Sequence, residues 1–593
     1  MVKFFYGDAN FASIRTGGGF YVDKTPFLPL LEDPEVGGKN LIFLRPRRFG
    51  KSLLLSMLRH YYDISAADQY DELFRGLWVH EHPTPEKNKH VVLQLNFSTV
   101  NPSPNEAELR ANVLTSVRSG FSAMAGRYRG RYPELDEFFD EMRKIEDPAA
   151  LVEDALGIFA GLNDKLYILI DEYDSFANAL LSADQKELYE KVTDKMGFVR
   201  AFFRTLKAGG DSGAIARVFI TGGTPILLDD LVSGFNVVRN ISNHPRYNAM
   251  AGFTRADVER AVDGVLRDRP DLAGTVGDRD ALLDMLERYY NGYRFSVKAK
   301  ERMFNSTLVL YFLRELVDLG EFPAKMLDVN ARTDYQKLHG LWASAGPAVD
   351  ERRAVLEQLF SEGQVWSPLV DSFGVRSSTT SAEFVSLMYY TGMLTLAPVP
   401  ADADTYLFES PNRVIRELAW EHYTKLLEDQ EGVILTGRRI ALSLLEMTKK
   451  GIIEPLLVEL RKYVLPVLSN RDLRKHDEKA MKMLLIGLIV TTGLLHVLSE
   501  KEFAQGYNDL FLGPAEGVTR AKYAWMIELK YLATGASESE QQAALAQAEE
   551  QLRRYASDKQ LVPMLTRGLQ LKTGTLLFVG GKDVEWRELS LSA

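Results

Sequence analysis

Residues Leu41–Ser52 read LIFLRPRRFGKS. An apolar run breaks there into a basic, proline-containing loop that closes on Gly50-Lys51-Ser52, and the helical pattern LLLSMLRHYY follows. Strand, loop and helix in that order are the context that a Walker A phosphate-binding loop requires. Amide N–H groups at the helix start face the phosphates, Lys51 brings a mobile positive charge, and the Ser52 hydroxyl can ligate Mg²⁺. The pattern G-x-x-x-x-G-K-[ST] puts a glycine at position 45, and this chain has Arg45. A basic turn ahead of an amphipathic helix would read much the same.

The 593 residues exceed what one hydrophobic core supports, so several domains are expected. With 46% hydrophobic and 26% charged residues, usage is that of globular proteins rather than disordered ones. The absence of cysteine excludes a disulfide framework, a thiolate nucleophile and Cys-ligated zinc or iron–sulfur sites. Any metal is then held by oxygen ligands or by the nine histidines. The start, MVKFFYGDANFASI, has no apolar signal-peptide core, and a cytoplasmic protein is expected. Met483–Leu495, MLLIGLIVTTGLL, is too short for the roughly 20 residues of a membrane helix and reads as a buried helix, so no membrane partner is expected. A net charge of −10 argues against nonspecific coating of nucleic acid and leaves a local basic groove open.

Further segments fit an α/β nucleotide domain. His90–Phe97, HVVLQLNF, reads as a strand, and a long helical region follows to about Phe159. Inside it, Arg127–Tyr132 (RYRGRY) interleaves basic and aromatic residues as single-strand binders do, although a solvated helix end reads alike. Lys165–Asp174, KLYILIDEYD, is a continuously apolar run ending in carboxylates, the pattern of a buried parallel strand of Walker B type. Asp171 would hold Mg²⁺, and Glu172 would orient or deprotonate the attacking water. Arg217–Thr221, RVFIT, is a third such strand running into Gly222-Gly223-Thr224-Pro225, where Thr221 could simply satisfy a turn. Asp23 or Thr25 could cap the helix PFLPLLE, and Thr254 caps a helix with acid in its first turn.

In this order YVDKT, RPRRFGKS, LIDEYD, FITGGTP, SGFNVVRNIS, GFT and YYNGYRF resemble the AAA-ATPase-like family, whose members often carry a PD-(D/E)XK nuclease domain behind the ATPase. Arginine in the first-glycine position resembles that family's own loop. The resemblance spans about Phe11 to Leu313 and rests on the order and number of segments. It implies ATP as ligand, with Gly50, Lys51 and Ser52 on phosphate and Mg²⁺, Asp171 and Glu172 as Walker B, Thr221 as a sensor, and Arg294 as a lid arginine reaching the phosphates.

The C-terminal third carries a second signal. Ala524–Leu532, AWMIELKYL, reads as a strand with Glu528 and Lys530 on one face, and Gly506–Leu512, GYNDLFL, as another. Pairing the two can bring Asp509 beside Glu528, a carboxylate pair for Mg²⁺ or Mn²⁺ with a lysine to position the attacking water. Such a pattern is also that of a solvated face. A helix carrying Glu478 before the strands, and a capping box Ser537-x-x-Glu540 opening a helix with Gln551 and Tyr555 on one face, extend it. Together with SEKEFAQGYNDLFL, these resemble the PD-(D/E)XK nuclease-like domain that accompanies this ATPase. Met393–Leu396 and Thr405–Phe408 read as a strand pair in the middle region.

The expected architecture is α/β and multi-domain: an AAA-like P-loop ATPase domain over 1–250, a helical lid over 251–345, a mixed, mainly helical middle region over 346–470, and a restriction-endonuclease-like domain over 471–593. The expected function is an Mg²⁺-dependent ATPase coupled to a metal-dependent nuclease, with catalytic Glu172, Asp509, Glu528 and Lys530. The alternative is an ATP-dependent switch whose nuclease-like domain binds nucleic acid or a protein without cleaving. DNA against RNA and a homo-oligomeric state stay open.

Overall fold

The computed structural model describes every residue outside 1, 229–237, 324, 334, 336–348, 372–379, 432–437, 466–477, 491, 499–509, 515–520, 534, 556–567, 581–582 and 590–593. The chain divides into two compact units, the first built mainly from Met1–Glu321 and Gln364–Ile415, the second mainly from Arg416–Ala593. Among the described residues no helix is long and apolar enough to cross a membrane.

The first unit is organised on a parallel sheet of β1 (Asn40–Leu44), β2 (Val91–Asn96), β3 (Leu166–Asp171), β4 (Ile215–Gly222) and β5 (Arg239–Asn240), in the order β2-β3-β4-β1-β5. Every residue of β3 is buried, as expected of a parallel strand covered on both faces. Leu41–Leu44 of β1 are likewise buried. Because β4 lies between β1 and β3, the chain leaving β1 emerges beside the carboxyl ends of both, the usual place for a ligand in an open α/β sheet. Helices Glu106–Tyr128, Pro133–Glu141 and Pro148–Gly161 fill the predicted helical region.

After the sheet come helices Arg255–Asp268, Arg279–Tyr290 and Ser306–Leu319. The first opens on a capping box of Thr254 and Asp257. A small antiparallel sheet of β6 (Gln364–Pro368), β7 (Thr395–Leu396) and β8 (Thr405–Glu409) contains the predicted strand pair, with Leu396 opposite Phe408. Gly292, in YYNGYRF, has φ +103°, and a Cβ there would lie 1.8 Å from the Pro411 carbonyl oxygen. Only glycine fits that approach.

The second unit holds a mixed sheet ordered β13-β12-β11-β10-β9, with β9 at Leu495–Leu498, β10 at Leu510–Pro514, β11 at Tyr523–Leu532, β12 at Gln570–Val579 and β13 at Asp583–Glu588. Strands β11 and β12 are parallel, and the Glu538–Tyr555 helix lies between them in sequence, as a parallel connection requires. Ser537 and Glu540 form the predicted capping box. Trp525 of β11 donates to the Met447 carbonyl at 3.1 Å, which seats the Arg438–Lys450 helix on the sheet. The run Met483–Leu495 is not one helix. The helix Glu478–Val490 stops before a turn with Gly493 at φ +65°, and Leu495 begins β9.

In the RYRGRY segment, Arg127 and Tyr128 have structural partners, while Arg129–Arg131 are exposed. Tyr128 donates to Asp63 and accepts from the Val92 amide, while Arg127 lies 3.2 Å from the other Asp63 oxygen and donates to the Val92 carbonyl. Asp63 is fully buried, so these donors depend on its charge. Asp63→Ala should lower the unfolding free energy in urea by about 3 kcal/mol, because it strands the buried Tyr128 hydroxyl and leaves the half-buried Arg127 without its carboxylate.

Candidate active sites

The loop after β1 is held from within by Arg45. Its side chain is 1% exposed and donates to the carbonyls of Leu44 at 2.8 Å, Ser242 at 2.7 Å and Tyr247 at 2.9 Å. The guanidinium carbon stands 4.2 Å from the Phe43 ring centroid and 3.9 Å from that of Phe295. Burial pulls its pKa below the usual arginine value. Arg45 therefore serves backbone carbonyls and ring faces. Phe49 extends the same packing edge-on against Tyr293 and Phe295, at 4.8 and 5.4 Å between centroids.

Gly50 adopts φ +86° and starts the Lys51–Tyr62 helix, whose Leu54, Leu55, Leu58 and Tyr61 are buried. The Lys51 ammonium donates to the carbonyls of Arg45 and Pro46 at 3.0 and 3.2 Å and lies 3.6 Å from Glu172. Ser52 donates to Asp171 Oδ2 at 2.6 Å, and Thr221, from β4, donates to Asp171 Oδ1 at 2.7 Å. Burial raises the Asp171 pKa, and the two hydroxyl donors oppose that shift. Glu172 has φ +50°, an uncommon backbone state for a residue with a side chain, found mostly where the surroundings impose it. Gly50, Lys51, Ser52, Asp171, Glu172 and Thr221 thus come together at the carboxyl ends of the inner strands.

Two cavities meet at Glu172. One, of about 250 Å³, is bordered by Gly50–Leu54, the N-terminal segment with Phe20, Tyr21 and Lys24, and Met250–Phe253. The other, of about 460 Å³, is bordered by Arg47, Asn101, Asn178, Thr224 and Tyr390. Asp174, the last acid of LIDEYD, is fully buried and accepts from the Gly223 and Thr224 amides and the Thr224 hydroxyl, which ties the strand end to the turn after β4.

Arg294 stands apart from this group. Its amide donates to Thr395, its side chain is 8% exposed, and the charges acting on it are Arg302 and Glu409, beside the small sheet. It borders neither cavity: its neighbours Tyr293 and Phe295 pack on the phosphate loop, while Arg294 itself lies on the side of β7. Arg48 turns to the N-terminal segment, 3.4 Å from the Tyr6 hydroxyl and 3.6 Å from Asp328. Lys24 and Asp174 carry no sign of a contribution in the sequence, and the role of Arg45 was open. An arginine in place of a loop glycine was the one visible sign.

In the second unit, Glu528 and Lys530 share a face of β11, with Nζ 3.2 Å from Oε1. They are 1% and 9% exposed, and Thr575 of β12 stands opposite Glu528. Strand β10 pairs antiparallel with β11, Leu510 opposite Ile527. Asp509 and the side chains of Glu478 and Tyr555 lie outside the described residues. Among the described residues no three acidic or histidine side chains are grouped to hold a metal.

Residues 5–232 match the family model of a predicted AAA-ATPase, and residues 476–583 match that of the PD-(D/E)XK nuclease superfamily. The chain carries both domains. An "Uncharacterized protein in vnfD 5'region" from Azotobacter chroococcum mcd 1 is 28% identical over 403 residues, which cover 66% of this chain. The match takes in 64% of that relative's length. Among solved structures, Cdc6p from Pyrobaculum aerophilum aligns at 12% identity and a TM-score of 0.24, over 70% of this chain and 98% of that one. The Aeropyrum pernix ORC2 protein aligns at 11% identity and a TM-score of 0.29, over 65% and 88%.

If Arg45 is a pillar rather than a flawed glycine, restoring the strict motif should do harm. Arg45→Gly is expected to lower the melting temperature and cost on the order of 3 kcal/mol, through the lost charge-assisted hydrogen bonds and ring contacts. Arg45→Lys, with fewer donors in the wrong geometry, should recover only part in the same thermal measurement.

Proposed function

We propose that the chain is an Mg²⁺-dependent ATPase whose nucleotide cycle controls a C-terminal nuclease-superfamily domain acting on nucleic acid. The observation that carries the ATPase reading is the Ser52–Asp171–Thr221 arrangement, with Lys51 and Glu172 beside it. The hydroxyl of Ser52 and the carboxylate of Asp171 are hard oxygen donors already turned to one another, and they fit a magnesium ion. Held by Ser52 and Asp171, such an ion would supply positive charge that offsets the charge developing on the phosphates. Lys51 would exchange its carbonyl contacts for phosphate oxygens, and the helix N-terminus behind Gly50 would add its amides. Thr221 would keep Asp171 oriented. Glu172, released from Lys51, would position the attacking water and accept its proton at the carboxylate.

For the second unit, Glu528 and Lys530 would act with Asp509 on a phosphodiester, using a divalent metal such as Mg²⁺ or Mn²⁺. The burial of Glu528 at 1% exposure favours a second reading, in which this domain binds nucleic acid or a protein without cleaving it.

Lys51→Ala should abolish ATP hydrolysis. Glu172→Gln should lower turnover by about 10²–10⁴-fold and leave ATP binding intact. Hydrolysis that survives Lys51→Ala removes this site. Cleavage of DNA or RNA in Mg²⁺ or Mn²⁺, lost in Asp509→Ala and Lys530→Ala, supports the nuclease reading, and absence of cleavage leaves the binding one.

A further inference from the structure

Lys24 lies in the segment Tyr21–Thr25, and Asp23 fixes the local turn. Asp23 accepts from the Thr25 amide and hydroxyl at 2.8 and 2.6 Å and from the Trp78 amide at 2.7 Å. This leaves Lys24 directed elsewhere. Its ammonium donates to the Ala249 carbonyl at 2.9 Å, at the start of the Met250–Phe253 wall, and its side chain is 13% exposed. It borders the same cavity as Gly50, Lys51 and Ser52.

The neighbouring carboxylate does not account for it. Asp257 Oδ2 is 3.9 Å away and already accepts from the amide and hydroxyl of Thr254 at 2.9 and 2.8 Å, while Oδ1 takes Arg260. An ammonium has three N–H donors. The Ala249 carbonyl uses one of them. A cation kept in a largely dry wall with donors to spare is costly unless a ligand accepts from it.

The cavity joins two kinds of lining: Gly50, Lys51, Ser52 and Glu172, and apolar surface from Phe20, Tyr21, Val22, Met250 and Phe253. The Gly252 amide donates to the Phe49 carbonyl at 2.9 Å, which fastens this apolar wall to the phosphate loop. Aromatic and aliphatic faces suit a base and ribose better than they suit phosphate.

We propose that Lys24 is a nucleotide-binding residue that donates to an acceptor on the nucleoside half, a ribose hydroxyl oxygen or a ring nitrogen. The assignment rests on the nucleotide reading above. Burial lowers the Lys24 pKa to about 8, with Asp257, Asp23 and Glu301 raising it and Arg260 lowering it. The other charged groups on the cavity are Asp8, Arg48, Lys51 and Glu172. As pH rises through about 8, Lys24 loses its proton and a donor, so nucleotide affinity should fall.

Titration calorimetry on the full chain tests this with ATP, ADP and inorganic triphosphate, comparing wild type, Lys24→Met and Lys24→Arg between about pH 7 and 9. Lys24→Met should weaken ATP and ADP alike by about 10- to 100-fold at pH 7, leave triphosphate unchanged and flatten the alkaline decline. Lys24→Arg should keep part of the affinity and report on folding. Unchanged ATP and ADP affinity in Lys24→Met overturns the proposal. So does a loss confined to ATP and triphosphate, which would place the contact on phosphate. An alkaline decline that persists in Lys24→Met does the same. Wild type that binds none of the three removes the nucleotide reading, and Lys24's role with it.

Discussion

A guanidinium buried inside a backbone turn is the interaction on which the nucleotide edge depends. Stripping water from Arg45 costs several kcal/mol, and the structure offsets this with three carbonyls and two aromatic faces. Those partners come from the end of β1, from the segment after β5 and from Phe295. One side chain thereby sets the loop against three parts of the first unit. The Arg45 carbonyl, held in place by this packing, is one of the two that receive Lys51. The loop is thus shaped before any ligand contact.

The second constraint is strand order. With β4 between β1 and β3, hydroxyls from the helix after β1 and from β4 itself reach the two oxygens of Asp171. Glu172 follows in a left-handed conformation, and such a residue stores about 1–3 kcal/mol that its surroundings must sustain. Two residues on, Asp174 clamps the Gly223–Thr224 turn.

The strands of the first unit were legible because buried parallel strands are written as continuous apolar runs, as in LIFL, YILI and VFI. Two-residue β5, exposed Arg239–Asn240, carries no such signature. Sheet order was illegible, since it rests on pairings between segments far apart in sequence. The site residues nearest the loop were readable from spacing. Lys24 was not, because its role depends on Ala249 and the Met250–Phe253 wall more than two hundred residues away. Arg294, a basic residue in a glycine-rich, aromatic motif, looks directed at phosphate, while in the structure its side chain lies near Arg302 and Glu409 and borders neither cavity. In the second unit Thr492-Gly493 was a visible turn inside Met483–Leu495, and the long apolar run outweighed it. The run TLLFV of β12 and the strand DVEWRE of β13 were passed over.

The close approach of Gly292 to the Pro411 carbonyl changes how chains built this way should be sought. A pattern demanding glycine at position 45 would discard this protein, where a large cation fills that place and is needed there. At position 292 even a methyl group would overlap a carbonyl oxygen. The backbone geometry therefore ties a search to the glycine of YYNGYRF, and the first glycine of the phosphate loop is the position to leave free.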